Sequence, residues 1–123
     1  MFELHPKTVD GPLSVVSTPY GNEVIVVALA GELDRANVLS AAKAIDSALS
    51  ADGKIVVVDL QELEFLDSSG VAMLAELTEP ERSNGRLRIV PSRSLGVARI
   101  LAATGMNVRL KMVQDGVPSV VAS

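Results

Sequence analysis

Two adjacent hydroxyls, Ser68 and Ser69, stand between a carboxylate, Asp67, and Gly70. Such a group can do one of three things. Aspartate and serine accept hydrogen bonds from the unpaired N–H groups of a helix's first turn, so the tetrapeptide could simply cap a helix. A cap needs one such side chain, and here a carboxylate, two hydroxyls and a small residue suited to close approach occur together. An exposed serine at the positive end of a helix is also suited to carry a phosphate, because backbone N–H groups and the macrodipole both favour an anion there. A nucleophilic serine would need a base and an oxyanion hole. The sole histidine, His5, lies far upstream, and the turn lacks the flanking glycines of a G-x-S-x-G elbow. The residues therefore favour a phosphoacceptor over a cap, and hydrolase chemistry at Ser68 has no support. On this reading Gly70 is a point of close approach, where valine should impair partner binding more than folding.

The elements on either side make this tetrapeptide a strand-to-helix turn. Ile55 to Leu60 is a near-continuous β-branched run, as in a strand covered on both faces, and it leads out through Phe65 and Leu66. After the turn, Val71, Leu74, Ala75 and Leu77 recur at helical spacing until Pro80, where the helix must end or kink. Upstream, Val24 to Ala30 is apolar throughout and is expected in the middle of a sheet. It is joined through a turn at Thr18 to Asn22 to a short strand at Leu13 to Ser17. From Asn37 to Leu49 the apolar residues Val38, Ala41, Ala42, Ile45, Ala48 and Leu49 form one stripe of a helix. Strand, helix and strand make a βαβ unit with parallel strands. Their C-terminal ends share one rim, which brings Glu32 and Asp34 beside Asp67 and Ser68. Position alone does not separate neighbours of the site from two solvated carboxylates.

Further along, Arg86 to Val90 alternates basic and apolar, as a strand with its arginines in water, and a helix follows with Ser92 or Ser94 as its cap. Val108, Leu110 and Met112 alternate in a last strand, and the tail beyond Gln114 has no assignable element. Residues 1–12 carry His5-Pro6 and Gly11-Pro12 without periodicity and are expected to be a loose or lightly docked leader, with one domain over 13–123. The expectation is a single α/β domain: a mixed, mostly parallel β-sheet of about five strands with helices packed against it.

Composition narrows the function. The chain has 123 residues, 48% of them hydrophobic, and no apolar run near the ~18 residues of a membrane span. No secretory signal opens it, so a soluble, cytoplasmic protein without membrane insertion is expected. It has no cysteine and one histidine, which removes disulfides, thiolate metal sites and histidine clusters. No cofactor is implied. A net charge of −4 and only three aromatic residues provide neither the electrostatic nor the stacking component of direct nucleic-acid binding.

Taken in order, Gly31-Glu32-Leu33-Asp34, Val57-Val58-Asp59-Leu60, Phe65-Leu66-Asp67-Ser68-Ser69-Gly70, Gly85-Arg86-Leu87-Arg88-Ile89, Pro91-Ser92 and Thr104-Gly105-Met106 resemble a STAS domain, specifically a bacterial anti-sigma factor antagonist. The resemblance spans roughly residues 13 to 113, and the D-S-S-G turn between strand and helix is its specific part. It departs from the common pattern at Val71-Ala72, where a second glycine is frequent, at Pro80, and in a weak C-terminal helix. The resemblance implies a non-enzymatic regulator. Its partner would be an anti-sigma factor that is itself a serine kinase of the Bergerat ATP-binding type. Ser68 would be the phosphorylated residue, with Asp67, Ser69, Gly70, Glu32 and Asp34 around it in partner binding. The unphosphorylated form would bind the anti-sigma factor and free a sigma factor, and a metal-dependent serine phosphatase would restore it. Two other readings stay open: a STAS interaction module that is never phosphorylated, serving a scaffold, a transporter or a lipid-trafficking complex, or a nucleotide- or small-anion-binding domain at the same rim.

Overall fold

The computed structural model describes residues 7–51 and 53–106. In chain order the elements are β1 (Lys7–Asp10), β2 (Leu13–Tyr20), β3 (Val24–Leu33), α1 (Val38–Leu49), β4 (Ile55–Asp59), β5 (Leu63–Leu66), α2 (Ser68–Leu77), α3 (Pro80–Ser83), β6 (Leu87–Val90) and α4 (Leu95–Ala103). The six strands form one sheet in the order β1-β2-β3-β4-β6, with β5 also paired to β3. β1 and β2 run antiparallel to their neighbours, whereas β3 is parallel to β4 and β5, and β4 is parallel to β6. The α/β class, the mixed sheet and the parallel βαβ unit agree with the sequence reading.

β3 is central because it is apolar on both faces. Ile25, Val27 and Leu29 alternate with Val24 and Val26. The first set joins Val56, Val58 and Ile89 beneath α1, α2 and α4, where Ile45, Leu74 and Leu101 complete the main core. The second set meets Val57 and Val90 on the opposite face. This is the two-residue period of a strand buried on both sides.

The structure adds two strands to those expected. Lys7–Asp10, assigned by sequence to the leader, pairs with Leu13–Val16 as an edge strand. Three of its four residues are exposed, so it leaves no apolar pattern to read. The run from Ile55 to Leu66 divides, because β4 pairs with Val24–Ala28 while β5 pairs with Gly31–Leu33 farther along the same edge of β3. The expected strand at Val108–Met112 lies outside the described residues. β2 extends through Pro19 to Tyr20, beyond the turn start read from sequence. Pro19 has no N–H to donate, and among the described residues β2 has only β3 as a neighbour at this position.

Gly31 sets the course of the chain into the site. Its φ is +94°, and a Cβ there would collide with the carbonyl oxygen of Pro12, so only glycine fits. The β3–β5 register shifts between Gly31 and Glu32.

Arg86 corrects the reading of a strand whose arginines are only solvated. Its guanidinium donates to the carbonyl oxygens of Leu49 and Ala51, at and just beyond the end of α1, and of Lys54, at 2.7 to 3.0 Å. Leu49 is the last residue of α1, where a carbonyl has no N–H within the helix to accept from, and a cation suits that end of the dipole. Arg86→Met should therefore destabilise the domain by about 2 kcal/mol, read as a lower urea midpoint with an unchanged m-value.

Among the described residues no helix is long and apolar enough to cross a membrane.

Candidate functional site

β3 and β5 are parallel and end level, with Leu33 beside Leu66. The residues that follow each strand, Asp34 and Asp67, are thereby brought to the same rim. Asp67 is the N-cap of α2, and its extended backbone lets the side chain turn back over the first turn. Its Oδ1 accepts from the N–H groups of Ser69 at 2.9 Å and Gly70 at 3.3 Å. Its Oδ2 accepts from the N–H of Arg35 at 3.2 Å. One carboxylate thus caps α2 and ties it to the loop leaving β3.

That loop is held from inside by Asn37, which is 1% exposed. Asn37 Oδ1 accepts from the Asp34 N–H and its Nδ2 donates to the Glu32 carbonyl, both at 2.9 Å. The Asp34 carboxylate accepts from the Ala36 N–H at 2.9 Å. These bonds satisfy buried polar groups locally and fix the backbone of residues 34–37.

Between loop and helix lies a shallow, open depression lined by Asp34, Arg35, Ala36, Asp67, Ser68 and Ser69. Ser68 is the first residue of α2 and is exposed, and among the described residues its hydroxyl has no hydrogen-bond partner. Ser69 is half-buried and also lines the groove between α1 and α2. A hydroxyl at the start of a helix, open to solvent and free of internal bonds, is placed for modification from outside.

Of the six residues singled out by sequence, Asp34, Asp67, Ser68 and Ser69 meet at this depression. Glu32 does not line it. It sits one step back on β3, exposed, opposite Phe65. Gly70 is buried beneath the turn rather than presented to a partner, and a Cβ there would strike Cδ1 of Leu66 and press on the Leu33 side chain. The expectation that Gly70 serves close approach by a partner is corrected: the close approach is to the domain's own core. Sequence reading passed over Arg35, although it directly follows Asp34 in a loop already assigned to the rim. It also took Asn37 only as a helix start, where its side chain instead braces the preceding loop.

A family model described as Mlab, STAS domain, matches residues 17–114. The chain belongs to the STAS domain family. Several solved structures share its fold. An anti-sigma factor antagonist from Mycobacterium paratuberculosis is 22% identical with a TM-score of 0.76, over 94% of this chain and 99% of that one. The anti-sigma factor antagonist SpoIIAA in its unphosphorylated form is 24% identical with a TM-score of 0.64, over 81% of this chain and 88% of the other. The Bacillus cell fate determinant SpoIIAA in its phosphorylated form is 24% identical with a TM-score of 0.58, over 81% and 91%. No curated protein sequence matches the chain.

Proposed function

We propose that this STAS domain is an anti-sigma factor antagonist whose partner binding is switched off by phosphorylation of Ser68. The observation that carries the reading is the exposed, unbonded Ser68 hydroxyl on the first turn of α2, beside a loop held rigid by Asp67 and Asn37. The fold likeness to antagonists, one of them in a phosphorylated form, supports it. The partner is an anti-sigma factor acting as a serine kinase. It transfers the γ-phosphoryl group of ATP to Ser68 Oγ, with ADP leaving and the hydroxyl proton passing to a base supplied by the kinase. A metal-dependent phosphatase reverses the step, so the domain itself performs no chemistry.

Incubation with the partner kinase and ATP should add one phosphate, located on Ser68 and absent from Ser68→Ala. Label that persists in Ser68→Ala, or no labelling at all, would overturn the switch. A second reading is a constitutive STAS interaction module, since the matching family description names the STAS domain and no sigma-factor role. In that case the partner would bind equally well whatever stands at position 68.

A further inference from the structure

Among the described residues three charged side chains line the depression beside Ser68, and two of them are already engaged. The Asp67 carboxylate accepts three N–H bonds and the Asp34 carboxylate accepts one. Arg35 is different. Its backbone N–H is pinned to Asp67 Oδ2, so its Cα is fixed close to the start of α2. Its side chain is exposed and makes no hydrogen bond or ion pair among the described residues, whereas Arg82, Arg86, Arg88 and Arg93 all commit their guanidinium groups elsewhere.

We propose that Arg35 is the residue that captures the phosphate: once Ser68 is phosphorylated, its guanidinium pairs with the phosphate oxygens within the same domain. The inference rests on reading Ser68 as the acceptor and adds the regulation of that site. A phosphoserine carries about −1.5 to −2 charges at neutral pH, here in a rim that already holds Asp34 and Asp67, with Glu32 one step back. The guanidinium fork matches phosphate oxygens bidentately and is, among the described residues, the one cation lining this depression. Before phosphorylation Arg35 is available to an acidic group of the partner. Afterwards it is occupied, so modification both adds a repulsive charge and withdraws an attractive one.

A neighbouring cation favours the dianionic phosphate, so Arg35 should lower the phosphoserine's second pKa from its ordinary value of about 6. The test uses the full chain with phosphoserine installed at position 68 during translation, titrated by phosphorus NMR. Arg35→Gln should raise the midpoint by about half a pH unit, the size of an exposed ion pair, and the difference should shrink in high salt. Arg35→Lys should keep most of the wild-type midpoint. Lys54→Gln, at the opposite end of the sheet where Lys54 Nζ donates to the Asn22 carbonyl, should leave it unmoved. A wild-type midpoint in Arg35→Gln overturns the pairing, as does an Arg35→Lys midpoint raised as far as that of Arg35→Gln. No kinase is involved, so this result is independent of the labelling experiment that judges Ser68 as an acceptor.

Discussion

Ser68→Asp should bind the proposed anti-sigma factor partner about 100-fold more weakly than wild type, while Ser68→Ala binds with wild-type affinity and cannot be switched off. The first turn of α2 is a favourable place for negative charge within the free domain, because its N–H groups and dipole offset repulsion from Asp67. Stability should therefore change by no more than about 1 kcal/mol. Once a partner covers the depression, the same carboxylate loses water and draws Arg35 to itself, which leaves the partner's acidic group without its counter-charge. An uncompensated buried charge costs about 3 kcal/mol or more, which corresponds to about two factors of ten in affinity. Calorimetric titration of the three proteins against the nucleotide-bound partner, with melts alongside, separates binding from folding. Equal affinities for all three would sink the proposal that charge at Ser68 controls release and would favour the constitutive module.

Gly70→Val carries the largest expected effect on folding, a loss of about 3 kcal/mol. The Cβ alone already meets Leu66 and Leu33, both almost fully buried, and valine adds two further methyl groups to a filled space. Relief requires either the Leu66 rotamer or the whole first turn of α2 to move, and moving the turn breaks the Asp67 bonds that join it to the 34–36 loop. Against a typical total stability of about 5 to 15 kcal/mol this is a large fraction, and the melting temperature should fall by roughly 10 °C or more. Gly70→Ala should fall between valine and wild type. Affinity counted per folded molecule should drop only as far as the turn is displaced. A variant that melts like wild type yet binds poorly would return Gly70 to the partner surface.

The sequence by itself determined what depends on near neighbours in the chain. The unbroken apolar run of β3, the alternation in β6, the apolar stripe of α1, the break at Pro80 and a helix start within Asp67-Ser68-Ser69-Gly70 are all set by near neighbours in the chain or by one residue's own stereochemistry, although α2 opens at Ser68, one residue before the expected start at Ser69 or Gly70. The placement of Asp34 near Asp67 was also legible, because parallel strands joined by a crossover must end at the same rim. What only the tertiary structure decided were the relations fixed by register. β5 is four residues long and reads as the tail of the strand before it. Its separate pairing exists because the chain turns after β4, with the Leu60 N–H bonded to Val90 and the Leu63 N–H to the Leu60 carbonyl, and rejoins β3 only at Gly31–Leu33. β1 is a strand because β2 offers it an edge, not because of its own composition. The same holds for the side chains. Gly70 points inward because Leu66 and Leu33 lie beneath it, Arg86 reaches three carbonyls about 35 residues upstream, and Arg35 borders Ser68 through a carboxylate 32 residues away. A glycine or an arginine carries no local pattern that says which distant atoms it will meet. That information enters only when two strands settle into one register and bring their ends together.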